Sequence, residues 1–172
     1  MKIAIVFESV TGNTAQLAEA LRFHFRGQDT VLIQSADADV SDQDVVFAGS
    51  WTDKGDCSPA MAALLEKLEK KKLFLFGTCG YGGSQEYFDT IYRRFASHVK
   101  PDNKILGSFF CQGRMPVTVL RRYEAMLEAN PNNARWESCI ENYNEALAHP
   151  NACDLASLCA AADQALGMEA TA

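Results

Sequence analysis

The chain has 172 residues, 48% of them apolar and 22% charged. That size and balance fit one folded domain of ~100–200 residues and exclude a largely disordered or collagen-like chain. Sixteen basic against 22 acidic side chains give a net charge of −6, which disfavours a nucleic-acid partner, since such binding normally shows a basic stripe. No apolar run approaches the ~18–20 residues of a bilayer span, and no small-residue cleavage site follows the N-terminal apolar stretch. A cytoplasmic protein with no membrane and no nucleic-acid partner is expected.

In chain order, Ile3 to Phe7 predicts a first strand, and Leu17, Leu21 and Phe25, with Ala18 alongside, predict a helix. Thr30 to Ile33 is a weaker run suited to a sheet edge. Val45 to Ala48 predicts a third strand, and Met61, Leu64, Leu65 and Leu68 fit the i, i+3, i+4, i+7 spacing of a helix. Leu73 to Phe76 predicts a fourth strand, Phe88, Ile91, Tyr92, Phe95 and Val99 another helix, and Ile105 to Cys111 a fifth strand. Continuous rather than alternating apolar runs indicate strands covered on both faces. Strands alternating with helices make βαβ units, hence an α/β fold with a doubly wound parallel sheet and right-handed crossovers.

After Pro116 the strands stop. Val119, Leu120, Tyr123, Met126 and Leu127 form one helical stripe, broken by Asn130-Pro131-Asn132-Asn133. Trp136, Ile140, Tyr143 and Leu147 form a second, ended by Pro150, and Leu155, Leu158, Ala162 and Leu166 a third. Residues 1–115 are therefore expected to form the α/β domain, 116–167 a helical C-terminal extension packed on it, and 168–172 a frayed end. Residues 116–172 carry 8 acidic and 3 basic groups against 14 and 13 in residues 1–115, so an acidic docking surface is expected there. The six cysteines contain no C-x-x-C pair and read as reduced thiols. His149, Cys153 and Cys159 lack a fourth ligand, and no metal is expected.

In open α/β sheets ligands bind beyond the carboxyl ends of the strands, where strand order reverses. After the first strand come Ser9, Val10, Thr11, Gly12, Asn13 and Thr14, then a helix. Hydroxyls, an amide, a flexible glycine and the free N–H groups of a helix start suit a phosphate monoester. A cap needs only one such residue, Thr11 or Asn13. The loop holds no Lys or Arg, so hydrogen bonds alone would neutralise the dianion. Neither G-x-G-x-x-G nor G-x-x-x-x-G-K-[ST] occurs, which excludes the dinucleotide turn and the P-loop.

Ser9-x-Thr11-Gly12-Asn13-Thr14 directly after an N-terminal strand resembles the FMN-phosphate loop of flavodoxins, and the resemblance covers residues 1 to about 115. It implies a five-stranded sheet of order 2-1-3-4-5 and FMN as cofactor. It places Ser50, Trp51, Thr52, Asp53 and Gly55 in a loop flanking the isoalloxazine, with Trp51 against the ring and Gly55 free to flip its peptide. Thr78, Cys79, Gly80, Tyr81, Gly82 and Gly83 form the second flanking loop. Flavodoxins commonly carry an acidic residue where this chain has Tyr81. Tyr81 is expected as the second stacking aromatic, with Tyr87 on the following helix and Cys79 a structural thiol. Gly113-Arg114-Met115 resembles flavodoxin-family proteins with a helical C-terminal extension, which include partners of bilirubin reductase in anaerobic bacteria; a surface role is expected for Arg114, the alternative being contact with the cofactor rim or a partner.

The resemblance implies an electron carrier that takes electrons from a reductase and passes them to an acceptor enzyme, and a monomer is expected. No acid–base pair accompanies the site, and His24, His98 and His149 are expected to be structural or solvated. With Lys54 the one cation supplied by the loops, a negative reduced flavin is poorly stabilised. About 4 kcal/mol at ~4 Å and a dielectric of ~20 corresponds to roughly 170 mV. The near-neutral charge of residues 1–115 moderates this toward a less extreme potential. The alternative is an FMN-dependent NAD(P)H oxidoreductase, quinone-reductase-like, that would consume NAD(P)H unaided. A receiver module is disfavoured, because its phosphoacceptor Asp is replaced by Gly49-Ser50.

Overall fold

The computed structural model describes residues 1–34 and 39–168. Its elements run β1 (Lys2–Glu8), α1 (Asn13–His24), β2 (Asp29–Ile33), β3 (Val45–Asp53), β4 (Asp56–Cys57), α2 (Pro59–Lys67), β5 (Lys72–Cys79), α3 (Gln85–Ser97), β6 (Lys104–Gln112), α4 (Val117–Ala129), α5 (Ala134–Ala146) and α6 (Ala152–Leu166). The main strands are parallel in the order β2-β1-β3-β5-β6, with β4 folded back antiparallel onto β3. The expected doubly wound order is therefore present, plus one two-residue strand. All but residue 168 of the end expected to fray lies outside the described residues.

The apolar runs form strands because both faces are covered. Ile3, Ile5 and Phe7 of β1 face one core while Ala4 and Val6 face the other. The same alternation sends Val45, Phe47, Phe74 and Phe76 to one side and Val46, Ala48, Leu73 and Leu75 to the other. Met61, Leu64 and Leu65 of α2 and Ile91 and Phe95 of α3 cover one face. Leu17, Ala18 and Leu21 of α1 cover the second, together with Leu158 and Ala162 of α6. The second core thus crosses residue 115, while α4 and α5 pack on each other, with Tyr123 against Trp136 at 6.2 Å.

Two corrections concern loops. Gly49 to Asp53, expected as loop, continue β3, and Thr78 and Cys79 belong to β5. Neither segment is strongly apolar; pairing decides them, since Trp51 registers against Thr78. Gly49 is needed there because a Cβ would lie 2.1 Å from the Phe76 ring. The β3–β4 turn is Lys54-Gly55, both at positive φ (49° and 86°), the pattern that matches the twist of a two-residue hairpin.

Candidate functional site

A cleft of about 700 Å³ opens at the carboxyl ends of β1, β3, β5 and β6, where the order reverses between β1 and β3. It gathers most of the residues expected at a binding site: Val10, Thr11 and Asn13 from the first turn, Trp51, Thr52, Asp53 and Gly55 from the hairpin, and Thr78, Cys79, Gly80 and Tyr81 from the end of β5. Ser9, Gly12, Thr14, Ser50, Gly82 and Gly83, also expected there, are not among its lining residues.

At one end lies the start of α1. Gly12 is its cap residue, at φ 87°, and offers no side-chain cap; Thr11 and Asn13 do not fill that role, and Ser9 reaches only the Ala15 N–H. By contrast, Ser58, Ser84, Asn133 and Asn151 cap α2, α3, α5 and α6. Asn13 is tied down instead, its Nδ2 donating to Thr11 Oγ1 at 2.9 Å and to the Arg114 carbonyl at 2.8 Å. Gly113 leaves the room, since a Cβ there would lie 2.7 Å from Asn13 Nδ2. The Ser9 hydroxyl accepts from the Ala15 N–H, and the Thr14 and Thr78 hydroxyls share a hydrogen bond of 2.9 Å. Ser9, Gly12 and Thr14 therefore set the shape of the turn from behind.

The other end is aromatic. Trp51 is half-buried on β3, and Tyr81 meets Tyr87 edge-on at 5.9 Å. Tyr87 lies on α3, as expected, and also lines the cleft. Gly82, at φ 77°, admits its ring: a Cβ would approach it to 2.5 Å. Ser50 is fully buried, its hydroxyl donating to the Trp51 carbonyl and accepting from the Ser58 N–H. Gly83 sits beside Gln112. Burial pushes the Cys79 thiol up to about 11, which keeps it protonated and unreactive at neutral pH.

Charge is the main difference from the sequence reading. Lys54 is joined by Arg94 of α3, Arg114 after β6 and Arg122 of α4, against Asp53 as the acidic group of the lining. Arg94 Nη1 donates to the Lys54 carbonyl at 3.0 Å, holding the peptide that precedes Gly55. A flip of the Lys54–Gly55 peptide therefore has to break this bond. Tyr87, Thr90, Ile91 and Arg94 recur at i, i+3, i+4, i+7, as do Val119, Arg122 and Tyr123 in part. Ile91, Val119 and Tyr123 belong to apolar helical stripes visible in the sequence, whereas Thr90, Arg94 and Arg122 give no local sign of facing a cleft. Asn142 of α5 had no local signal at all. Its side chain accepts from the Gly82 N–H at 2.9 Å and donates to the Gly80 carbonyl at 3.0 Å.

These features suit a ligand with an anionic tail and a flat aromatic body. The amides of the α1 start and Arg114 stand at one end, aromatic side chains and close-approaching glycine backbone at the other. The cleft volume is that of an ordinary cofactor site.

The family model for the flavodoxin domain matches residues 4–163. The chain is 38% identical over 175 residues to the flavodoxin-like domain-containing protein BilS of Clostridium symbiosum, covering 91% of this chain and 92% of that one. The BilS of Clostridioides difficile is 32% identical over 155 residues, covering 88% of each. Among solved structures, a flavoprotein of Lactobacillus acidophilus in complex with FMN superposes with a TM-score of 0.50 at 14% identity, over 64% of this chain and 93% of that one.

Proposed function

The chain belongs to the flavodoxin family, and from that premise we infer that it binds FMN in the cleft and carries low-potential electrons between redox enzymes in the cytoplasm. One observation carries this reading: the α1 start, whose cap residue Gly12 offers no side chain, opens on the same cleft as Trp51, Tyr81 and Tyr87. The N–H groups of the Thr11–Thr14 turn and the Thr11 hydroxyl would hold the phosphate, with Arg114 adding a positive charge. Trp51 and the Tyr81–Tyr87 pair would bracket the ring and exclude water, while the Gly80–Gly83 backbone approaches its carbonyl edge.

Bound FMN supplies one- and two-electron chemistry. The chain's own residues set how readily the ring takes charge. Lys54, Arg94, Arg114 and Arg122 favour a negative ring more than the loops alone would, so a less extreme potential is the expected result. Val10, 70% exposed, and Tyr81, 46% exposed, mark the open rim where a partner would meet the cofactor edge. The reductase and acceptor would dock there; the resemblance to extended flavodoxins adds a bilirubin reductase as one acceptor to try.

Reconstitution tests the cofactor. Titrating FMN into the flavin-free protein should quench flavin fluorescence at one FMN per chain, and no retention at high micromolar FMN would end this reading. The holoprotein alone should leave NADPH and NADH unconsumed until a reductase is added; unaided turnover would favour the oxidoreductase.

A further inference from the structure

Behind the β3–β4 hairpin, away from the cleft lining, a group of donors from three elements meets. Asp56 and Cys57 form β4, Glu66 lies in the last turn of α2, and His98 follows the last turn of α3. Among the described residues this is where three metal-ligating side chains converge: donor atoms of Asp56, Cys57 and His98 all lie within 4.8 Å of one another. His98 Nε2 is 3.1 Å from Asp56 Oδ2, and its Nδ1 is 3.1 Å from Glu66 Oε1. The grouping His149, Cys153 and Cys159 does not converge in this way; His149 pairs with Asp154 at 2.6 Å.

We propose that Asp56, Cys57 and His98 form a site for a zinc-type divalent cation, with Glu66 orienting the histidine. The donor chemistry selects the ion. Magnesium and calcium take all-oxygen shells, whereas one thiolate, one imidazole and one carboxylate suit zinc, with a fourth position left for water. Glu66 occupies the place of the outer carboxylate that accepts the second ring N–H of a metal-bound histidine, fixing the tautomer that presents Nε2.

Entry of the cation releases to solvent the Cys57 thiol proton and the hydrogen that His98 Nε2 shares with Asp56 Oδ2, and the metal takes both places. Cys57 is 6% exposed, so the sulfur is shielded, while Asp56 is open enough for entry. Occupancy would pin the hairpin that carries Trp51 and Gly55 to the end of α3.

The test uses the holoprotein, stripped with a chelator, dialysed and titrated calorimetrically with zinc chloride, with calcium chloride as control. One zinc per chain at micromolar affinity or tighter is expected, with no calcium uptake. Cys57→Ser and His98→Gln should each weaken binding at least ~100-fold, and Glu66→Gln ~10–100-fold without abolishing it. Glu66 is exposed, so its variant keeps the test open if a buried substitution fails to fold. X-ray absorption on the zinc-loaded wild type should show one sulfur at ~2.3 Å with lighter ligands at ~2.0–2.1 Å. Absence of zinc uptake, an all-nitrogen-and-oxygen shell, or binding that survives all three substitutions would overturn the site and leave a protonated histidine bridging two carboxylates.

Discussion

Gly12 stands at φ 87° with nothing within 4 Å of where a Cβ would go, so the demand for glycine there comes from the backbone alone. Gly12→Ala should cost ~1–2 kcal/mol, the left-handed penalty for an L-residue, read as a lower urea midpoint with an unchanged slope. FMN affinity should fall with it, because the amides of that turn are set by this dihedral. Arg94 offers a second residue-scale test. Its charge is mostly in water, so screening holds its effect on a reduced ring well below that of a close, partly buried pair. Arg94→Met should lower the potential of the fully reduced couple by roughly tens of mV in an equilibrium redox titration.

The cysteines titrate in a predictable direction. Burial raises Cys79 to about 11 and Cys57 to about 12, while an unfolded thiol ionises near 9. Between about pH 9 and 11 the unfolded chain binds fewer protons than the folded one, so stability falls as pH rises through that window. A pH series of metal-free protein in urea should show the decline. At pH 8 a thiol reagent should label exposed Cys153 first and leave Cys79 unmodified until the fold opens.

At the scale of elements, the loop after β5 is held by a helix far along the chain. Asn142 of α5 bonds Gly80, Gly82 and Gln112 through one side-chain amide. Asn142→Ala removes three hydrogen bonds worth ~0.5–1.5 kcal/mol each, with water taking back part of the loss. FMN affinity measured by fluorescence should weaken ~5–30-fold while the melting temperature moves little. Arg114 is fixed similarly, its N–H donating to the His149 carbonyl at 3.1 Å. The helices α4 and α5 are thus part of the cleft's support: α4 supplies Val119, Arg122 and Tyr123 to its outer wall although none of its residues is buried.

Across the whole molecule, α6 closes the second core, with Leu158 and Ala162 fully buried and His24 Nε2 lying 2.7 Å from Asp163 Oδ1. Leu158→Ala should lose ~2–5 kcal/mol, as for a buried leucine in a tight core, measured by equilibrium unfolding. A loss below ~1 kcal/mol would mean that the sheet domain stands without this helix.

By itself the sequence determined the alternation of elements and, through its resemblance, the strand order. Ile3 to Phe7 announces a strand covered on both faces, and Ser9 to Thr14 announces a polar turn leading into a helix, because each rests on residues adjacent in the chain. Only the tertiary structure decided that β3 runs on to Asp53, that Arg94, Arg122 and Asn142 reach the cleft, and that Asp56, Cys57, Glu66 and His98 meet. Those residues are separated by tens of positions, and a polar side chain on a helix gives no local sign of what it faces. Long-range pairing and packing settle that, and they are properties of the folded chain as a whole.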